Sequence, residues 1–159
     1  QTQITANDNN DTDPSWGPSG RRVVFASDRG SPPLADIYLL DFTDSGNIQQ
    51  AEPMLLFDTT SNSTYPRLSP DGQQVVFVDE TRNGSQVLVG AADGTRNRSI
   101  TGADSRHLRP TWSPDGRYVY YISDVRTGTL QIHYALPDGT QSERIGTPGL
   151  AIQSVAVGR

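Results

Sequence analysis

Arg109-Pro-Thr-Trp-Ser-Pro-Asp-Gly-Arg-Tyr-Val-Tyr-Tyr-Ile-Ser123 decides the fold, because two relatives of it stand earlier in the same chain. They are Tyr65-Pro-Arg-Leu-Ser-Pro-Asp-Gly-Gln-Gln-Val-Val-Phe-Val78 and Asp13-Pro-Ser-Trp-Gly-Pro-Ser-Gly-Arg-Arg-Val-Val-Phe-Ala-Ser27. Their turn glycines, Gly20, Gly72 and Gly116, lie 52 and 44 residues apart. Several short strands per period of that length point to propeller blades.

The repeat has a physical logic. In Ser-Pro-Asp-Gly, Pro presets φ, Asp tolerates the next position and Gly takes the positive φ that closes the turn. Ser19 stands in the Asp place of the first copy and keeps a local hydrogen-bonding side chain. The turn joins a short first strand to a second one such as Val75-Val-Phe-Val78, which is apolar on both faces. Antiparallel strands read this way when both faces of their sheet are covered, as in stacked blades. Trp16, Leu68 and Trp112 share one repeat position and are expected to pack between blades.

Outward from each second strand, a polar turn containing Gly leads to a third strand: Asp36–Leu40, Gln86–Val89 and Leu130–Tyr134. Turns at Asp44-Ser-Gly46, Asp93-Gly94 and Asp138-Gly139 lead to fourth strands at Pro53–Phe57, Arg98–Thr101 and Glu143–Ile145. Residues 1–6 read as one more short strand, and Ser154–Val157 as the first strand of a following blade. The fold class expected is all-β: propeller blades in three four-stranded antiparallel repeats, about 13–57, 65–101 and 109–145, within a single segment 1–159 that has partial blades at both ends.

Composition narrows the functions. The 159 residues carry a net charge of −5, which does not support a nucleic-acid footprint. The longest apolar runs are strand-length, so no membrane insertion is expected of this segment. Without Cys there is no disulfide or thiolate metal site. Gln1 rather than Met at the start reads as a processed chain or a piece of a longer one.

Pro-x-Trp-Ser-Pro-Asp-Gly, then Ser-Asp-x-x-x-Gly, Ile-Tyr, Asp-Gly and Ile-Thr, in register with their strands, resemble the TolB-type β-propeller repeat. The resemblance covers nearly all of residues 1–157 and implies the propeller fold and a place at the cell envelope, periplasmic or extracellular. TolB-type rings have about six blades, so three leave open blade ends that favour self-association. The family includes binding proteins, propeller domains of prolyl oligopeptidase-like peptidases and repeats of membrane receptors and regulators, and fold alone does not choose among them.

No enzymatic site stands out. Gly-x-Ser-x-Gly is absent, no Gly-rich phosphate loop precedes a helix, and the two His lack ligand partners at zinc spacing. Asp8-Asn-Asn-Asp-Thr-Asp13 alternates oxygen ligands, but Pro14 replaces the Gly that a calcium loop needs, so no metal or cofactor is expected. The residues ahead of and within the first strands remain: Asp13, Tyr65, Arg67, His107 and Arg109. Loops on rigid sheets carry function, and Tyr and Arg suit a protein or peptide partner or an anionic sugar, or else merely cap blade ends. The expected role is a non-catalytic binding or scaffolding module, with Tyr65, Arg67, His107 and Arg109 binding the partner. The alternatives are the propeller part of a peptidase or of a sugar-active lyase, and the sensor domain of a membrane receptor.

Overall fold

The computed structural model describes residues 3–125 and 128–145. Among the described residues, twelve strands form three antiparallel sheets, each ordered as it runs in the chain. Blade one comprises β1 (Asp11–Trp16), β2 (Arg22–Ser31), β3 (Leu34–Asp41) and β4 (Met54–Phe57). Blade two comprises β5 (Ser63–Leu68), β6 (Gln74–Thr81), β7 (Gly84–Ala91) and β8 (Asn97–Ser99). Blade three comprises β9 (His107–Trp112), β10 (Val119–Ser123), β11 (Gln131–Ala135) and β12 (Ser142–Ile145). The first strands β1, β5 and β9 lie side by side in turn, as the inner strands of a propeller do.

The tetrad turns close as their residues require. Gly20, Gly72 and Gly116 have φ of 66, 71 and 71°. In blade two the Gly72 amide donates to the Ser69 carbonyl at 2.8 Å, and Asp71 Oδ1 accepts from the Gln73 amide at 3.0 Å. The same pair recurs in blade three, from Gly116 to Ser113 at 2.9 Å and from Arg117 to Asp115 at 3.1 Å. Where these copies have Ser, blade one has Gly17, because a Cβ there would stand 2.8 Å from Leu68 Cδ1 of blade two.

Alternate faces of the second and third strands feed two interblade cores. Val24, Ala26, Ile37, Leu39 and Phe57 of blade one meet Leu68, Val75, Phe77 and Leu88 of blade two. Phe57 and Phe77 stack there at 5.0 Å. Val76, Val87 and Val89 of blade two meet Trp112, Val119 and Tyr121 of blade three. Val75 to Val78 are all 0–1 % exposed, which accounts for their unbroken apolar run.

The shared Trp16/Leu68/Trp112 position splits. Leu68 and Trp112 are 8 % and 6 % exposed and seat on the preceding blade, Trp112 Nε1 donating to the Arg67 carbonyl at 3.0 Å. Trp16 is 60 % exposed and touches Phe42 of its own blade, edge to face at 6.1 Å. Its expected interblade packing is therefore corrected: among the described residues no blade lies on that side.

Blade one also covers its outer face with its own chain. The period of 52 rather than 44 arises in the long β3–β4 connection, where Ile48 and Ala51, at and just after a 3-10 turn (Ile48–Gln50), pack on Val23, Phe25, Tyr38, Leu40 and Phe42. The Arg29 guanidinium adds to this cover, 5.1 Å above Phe25 and 5.0 Å above Tyr38, with Asp11 paired to it at 2.8 Å. The short strand expected at residues 1–6 is not formed over the described residues 3–6; Ile4 instead borders a groove with Pro14, Val23 and Leu40. The strand expected at Ser154–Val157 lies outside the described residues.

Trp112→Ala removes a buried aromatic and its hydrogen bond, and is expected to cost about 3–5 kcal/mol. Trp16→Ala is expected to cost less than about 1 kcal/mol, as exposed substitutions do. Denaturant unfolding of both variants checks the contrast, and equal losses would contradict the blade assignment.

Candidate functional site

The inner strands share a defect that positions side chains. Against β2 the register of β1 jumps from Thr12 to Ser15, and against β6 that of β5 jumps from Thr64 to Arg67. Against β10, β9 shows the same shift. Each inner strand thus sets one more residue against its neighbour than a regular ladder allows, which is a β-bulge. The bulges fall at Asp13-Pro14, Tyr65-Pro66 and Arg109-Pro110, and the residue before each Pro has φ of 51, 54 and 50°. A residue with a Cβ is strained there by about 1–3 kcal/mol, and such strain gathers at functional sites.

The three strained residues and Arg67 form one cluster. The Tyr65 amide donates to Asp13 Oδ2 at 3.4 Å, linking blades one and two. The Arg109 guanidinium lies 5.5 Å from the centre of the Tyr65 ring, linking blades two and three. Such cation–π contacts hold both groups in place. Arg67 is half-buried and donates from Nη1 to the Pro66 carbonyl at 2.7 Å. Burial pushes its pKa down, Asp13 opposes this, and Arg109 adds to it. The guanidinium stays charged nonetheless. Of this cluster, Arg67 lines a groove of about 470 Å³, together with Thr111, Trp16 and the tetrad turns. The arrangement offers two cations, one carboxylate and aromatic surface along the inner strands. It suits acidic or aromatic groups of an extended ligand.

His107 does not join this cluster. It is 3 % exposed at the start of β9, its Nε2 3.1 Å from the Gly102 carbonyl and its ring edge-on to Tyr121 at 5.5 Å. The Ser85 hydroxyl holds its backbone, accepting from the His107 amide at 2.7 Å and donating to its carbonyl at 2.9 Å. Of the four residues expected to bind a partner, the structure brings Tyr65, Arg67 and Arg109 together with Asp13 and sets His107 apart in a buried seam. Its polar type and loop position suggested exposure, but the connection from β8 folds over it. The left-handed bulge has one sequence signal, a Pro after the same position in all three copies.

In the Asp8–Asp13 loop, side chains are engaged with neighbours. Asn10 bonds both oxygens of Asp28, at 2.9 Å from its amide and 2.8 Å from Nδ2. Burial raises the Asp11 pKa, but hydrogen bonds from Ser27, Arg29, Thr5 and Asn7 outweigh it and bring the value to about 2.

Comparison with known proteins places this geometry in a family. The family model of the lipoprotein LpqB β-propeller domain matches residues 39–157. The chain belongs to that family. Dipeptidyl-peptidase 5 of Porphyromonas gingivalis is 29% identical over 76 residues, which cover 44% of this chain and 10% of the peptidase. TolB from Acinetobacter baumannii superposes with a TM-score of 0.69 at 19% identity, over 92% of this chain and 34% of TolB. A puromycin-hydrolyzing peptidase of Mycobacterium tuberculosis gives 0.66 at 21% identity, over 87% of this chain and 24% of the peptidase. The two superpositions establish the TolB-like propeller fold, and the chain spans about a third or less of these relatives.

The His107 seam makes stability depend on pH. Burial pushes the His107 pKa below its ordinary 6.5, nearby His133 adds to this, and the Gly102 carbonyl and Asp124 oppose it. Below pH 6.5 the unfolded chain therefore binds more protons at this residue than the folded one, so stability is full above that pH and is lost as pH falls. Chemical unfolding between pH 7.5 and 5 is expected to show this fall in the native chain and a flatter profile in His107→Gln. Identical profiles would contradict the assignment.

Proposed function

We propose that the chain is a non-catalytic binding module that engages a protein or peptide through the inner-strand cluster of Asp13, Tyr65, Arg67 and Arg109. The observation that carries this reading is the repetition of a strained, pre-proline residue on three successive inner strands. Strain kept three times is hard to explain by blade capping, for which an extended residue would serve at lower cost. Exposed Arg109 and half-buried Tyr65 and Arg67 are of the residue types that dominate peptide and protein recognition. The ligand class favoured is an extended peptide with an acidic group, which Arg109 and Arg67 would bind in bidentate fashion.

A periplasmic or extracellular location is part of the proposal. Support comes from the lipoprotein named in the family description. Among the described residues, no helix is long and apolar enough to cross a membrane. Self-association through the outer face of blade three, where Tyr120 and Tyr134 are half-buried, belongs to the same reading. A second reading, the propeller portion of a peptidase, is favoured by the match to the Porphyromonas peptidase and by the puromycin-hydrolyzing neighbour. A hydrolase domain encoded beside this segment would support it.

Calorimetric titration with a short acidic peptide and its amide-substituted counterpart tests the first reading. The acidic peptide is expected to bind better, and Arg109→Ala to weaken it by about tenfold or more, the worth of one charge-assisted hydrogen bond. Equal binding of the two peptides, or an Arg109→Ala variant that binds like the native chain, would overturn it.

A further inference from the structure

The two internal interfaces of the stack repeat one set of contacts. At the inner strands, Leu68 and Trp112 of the later blade seat on the earlier one, and the Trp112 indole donates to the Arg67 carbonyl at 3.0 Å. At the tetrad turns, a proline of the earlier blade stands over a glycine of the later one. Pro18 covers Gly72 and Pro70 covers Gly116, each 3.6 Å from where a side chain would begin. On the fourth-strand side, Phe57 pairs with Ile37, and the Ile100 amide donates to the Val87 carbonyl at 2.8 Å. Both Phe57 and Ile100 are buried in the interblade cores.

The two ends of the stack hold the separate halves of this set. On blade one, Trp16 is 60 % exposed, and nothing lies within 4 Å of where a side chain on Gly20 would begin. On blade three, Pro114 is exposed and Thr111 stands at the place of Arg67 in the repeat. Ile145, paired with Ile132, is 39 % exposed where Ile100 is 5 % exposed. Among the described residues the exposed large hydrophobic side chains are Ile4, Trp16, Leu34, Met54, Leu55 and Ile145. All belong to the end blades or to the segment ahead of blade one, whereas a stack that ends in solvent carries polar outer faces. The cover that Ile48, Ala51 and Arg29 lay on blade one leaves Trp16 open, and with it an apolar groove of about 260 Å³ beside Ile4, Pro14, Val23 and Leu40.

Charge selects the partner. The pre-proline residues run Asp13, Tyr65, Arg109, each in contact with the next. A blade one placed after blade three brings a carboxylate beside the Arg109 guanidinium. Blade one against blade one would oppose two carboxylates, and blade three against blade three two guanidinium groups. We propose, resting on the self-association in the reading above, that blade one receives blade three of a second copy of this chain, so that two copies close one ring. Together they hold six blades, within the roughly four to eight with which propellers close. A head-to-tail contact of this kind stops growing only where its rotation closes. At each junction the Trp16 indole donates to the Thr111 carbonyl of the second copy, Pro114 of the second copy covers Gly20, and Asp13 meets Arg109 of the second copy. The five N–H donors of Arg109 hold this carboxylate and an acidic ligand group together.

Sedimentation equilibrium of the native chain over a wide micromolar range is expected to give twice the 17.3 kDa of one chain and nothing larger. Acrylamide quenching of Trp16 is expected to fall as the dimer forms, because Trp112 is buried throughout. Trp16→Ala, which costs the single chain little, is expected to weaken association. Asp13→Arg and Arg109→Asp each set like charges at both junctions and are expected to weaken it by about tenfold or more. An equimolar mixture of the two is expected to restore it, since both junctions of a mixed ring again pair a carboxylate with a guanidinium. The mass of one chain throughout, a mass that climbs without limit, or a mixture that associates no better than either variant alone would overturn the inference. The peptide reading is tested apart from it. A monomer that prefers the acidic peptide removes this inference alone, and a dimer indifferent to that peptide removes the peptide reading alone.

Discussion

Everything at the inner edge of this molecule depends on one backbone constraint: a residue with a side chain held at positive φ in front of a proline. Regular pairing of β1, β5 and β9 with their neighbours would leave Asp13, Tyr65 and Arg109 extended, with side chains alternating across the sheet. The bulge re-aims them. Because the inner strands lie side by side, three re-aimed residues meet, Asp13 on the Tyr65 amide and Arg109 over the Tyr65 ring. The strain, of the order of 1–3 kcal/mol at each site, is offset by packing between neighbouring blades.

That offset comes from a packing rule repeated along the stack. In blade two, one face of the second and third strands serves the blade before and the other face the blade after, so Phe77 meets Phe57 while Val76 meets blade three. Smaller contacts follow the same order: Leu68 fills the space left by Gly17, and the Trp112 indole reaches the Arg67 carbonyl. The Arg67 backbone thus supports a neighbouring blade while its side chain lines the groove beside the tetrad turns. Stability and the proposed binding surface share residues, and changes to the inner strands are felt in both.

Much of this was legible in the residues. The tetrad turns, the apolar second strands and the Gly-marked outer turns each predict their elements from local chemistry, and the sheets follow. Asp13, Tyr65 and Arg109 are legible as a group because each stands just before the Pro of its repeat copy, with Arg67 two places after Tyr65. Three features were not. Trp16 shares its repeat position with buried Leu68 and Trp112, and no local signal says which blades have a neighbour. His107 looks like a loop residue until the β8–β9 connection is seen to cover it. The eight-residue difference in period is visible, but only the structure shows Ile48 and Ala51 lying on the outer face of blade one. In each case the deciding contact is long-range, so no window of sequence contains it.

The left-handed bulge is tested most directly by comparing Arg109→Gly with Arg109→Ala in equilibrium unfolding. Both remove the exposed guanidinium and its contact with Tyr65, so their difference isolates the backbone. At positive φ glycine is the unstrained residue, and Arg109→Gly should be more stable than Arg109→Ala by about 1 kcal/mol. An ordinary extended strand reverses the order, because glycine then costs about 0.5–1 kcal/mol relative to alanine. That reversal would contradict the bulge, and with it the convergence of Asp13, Tyr65 and Arg109 on one site.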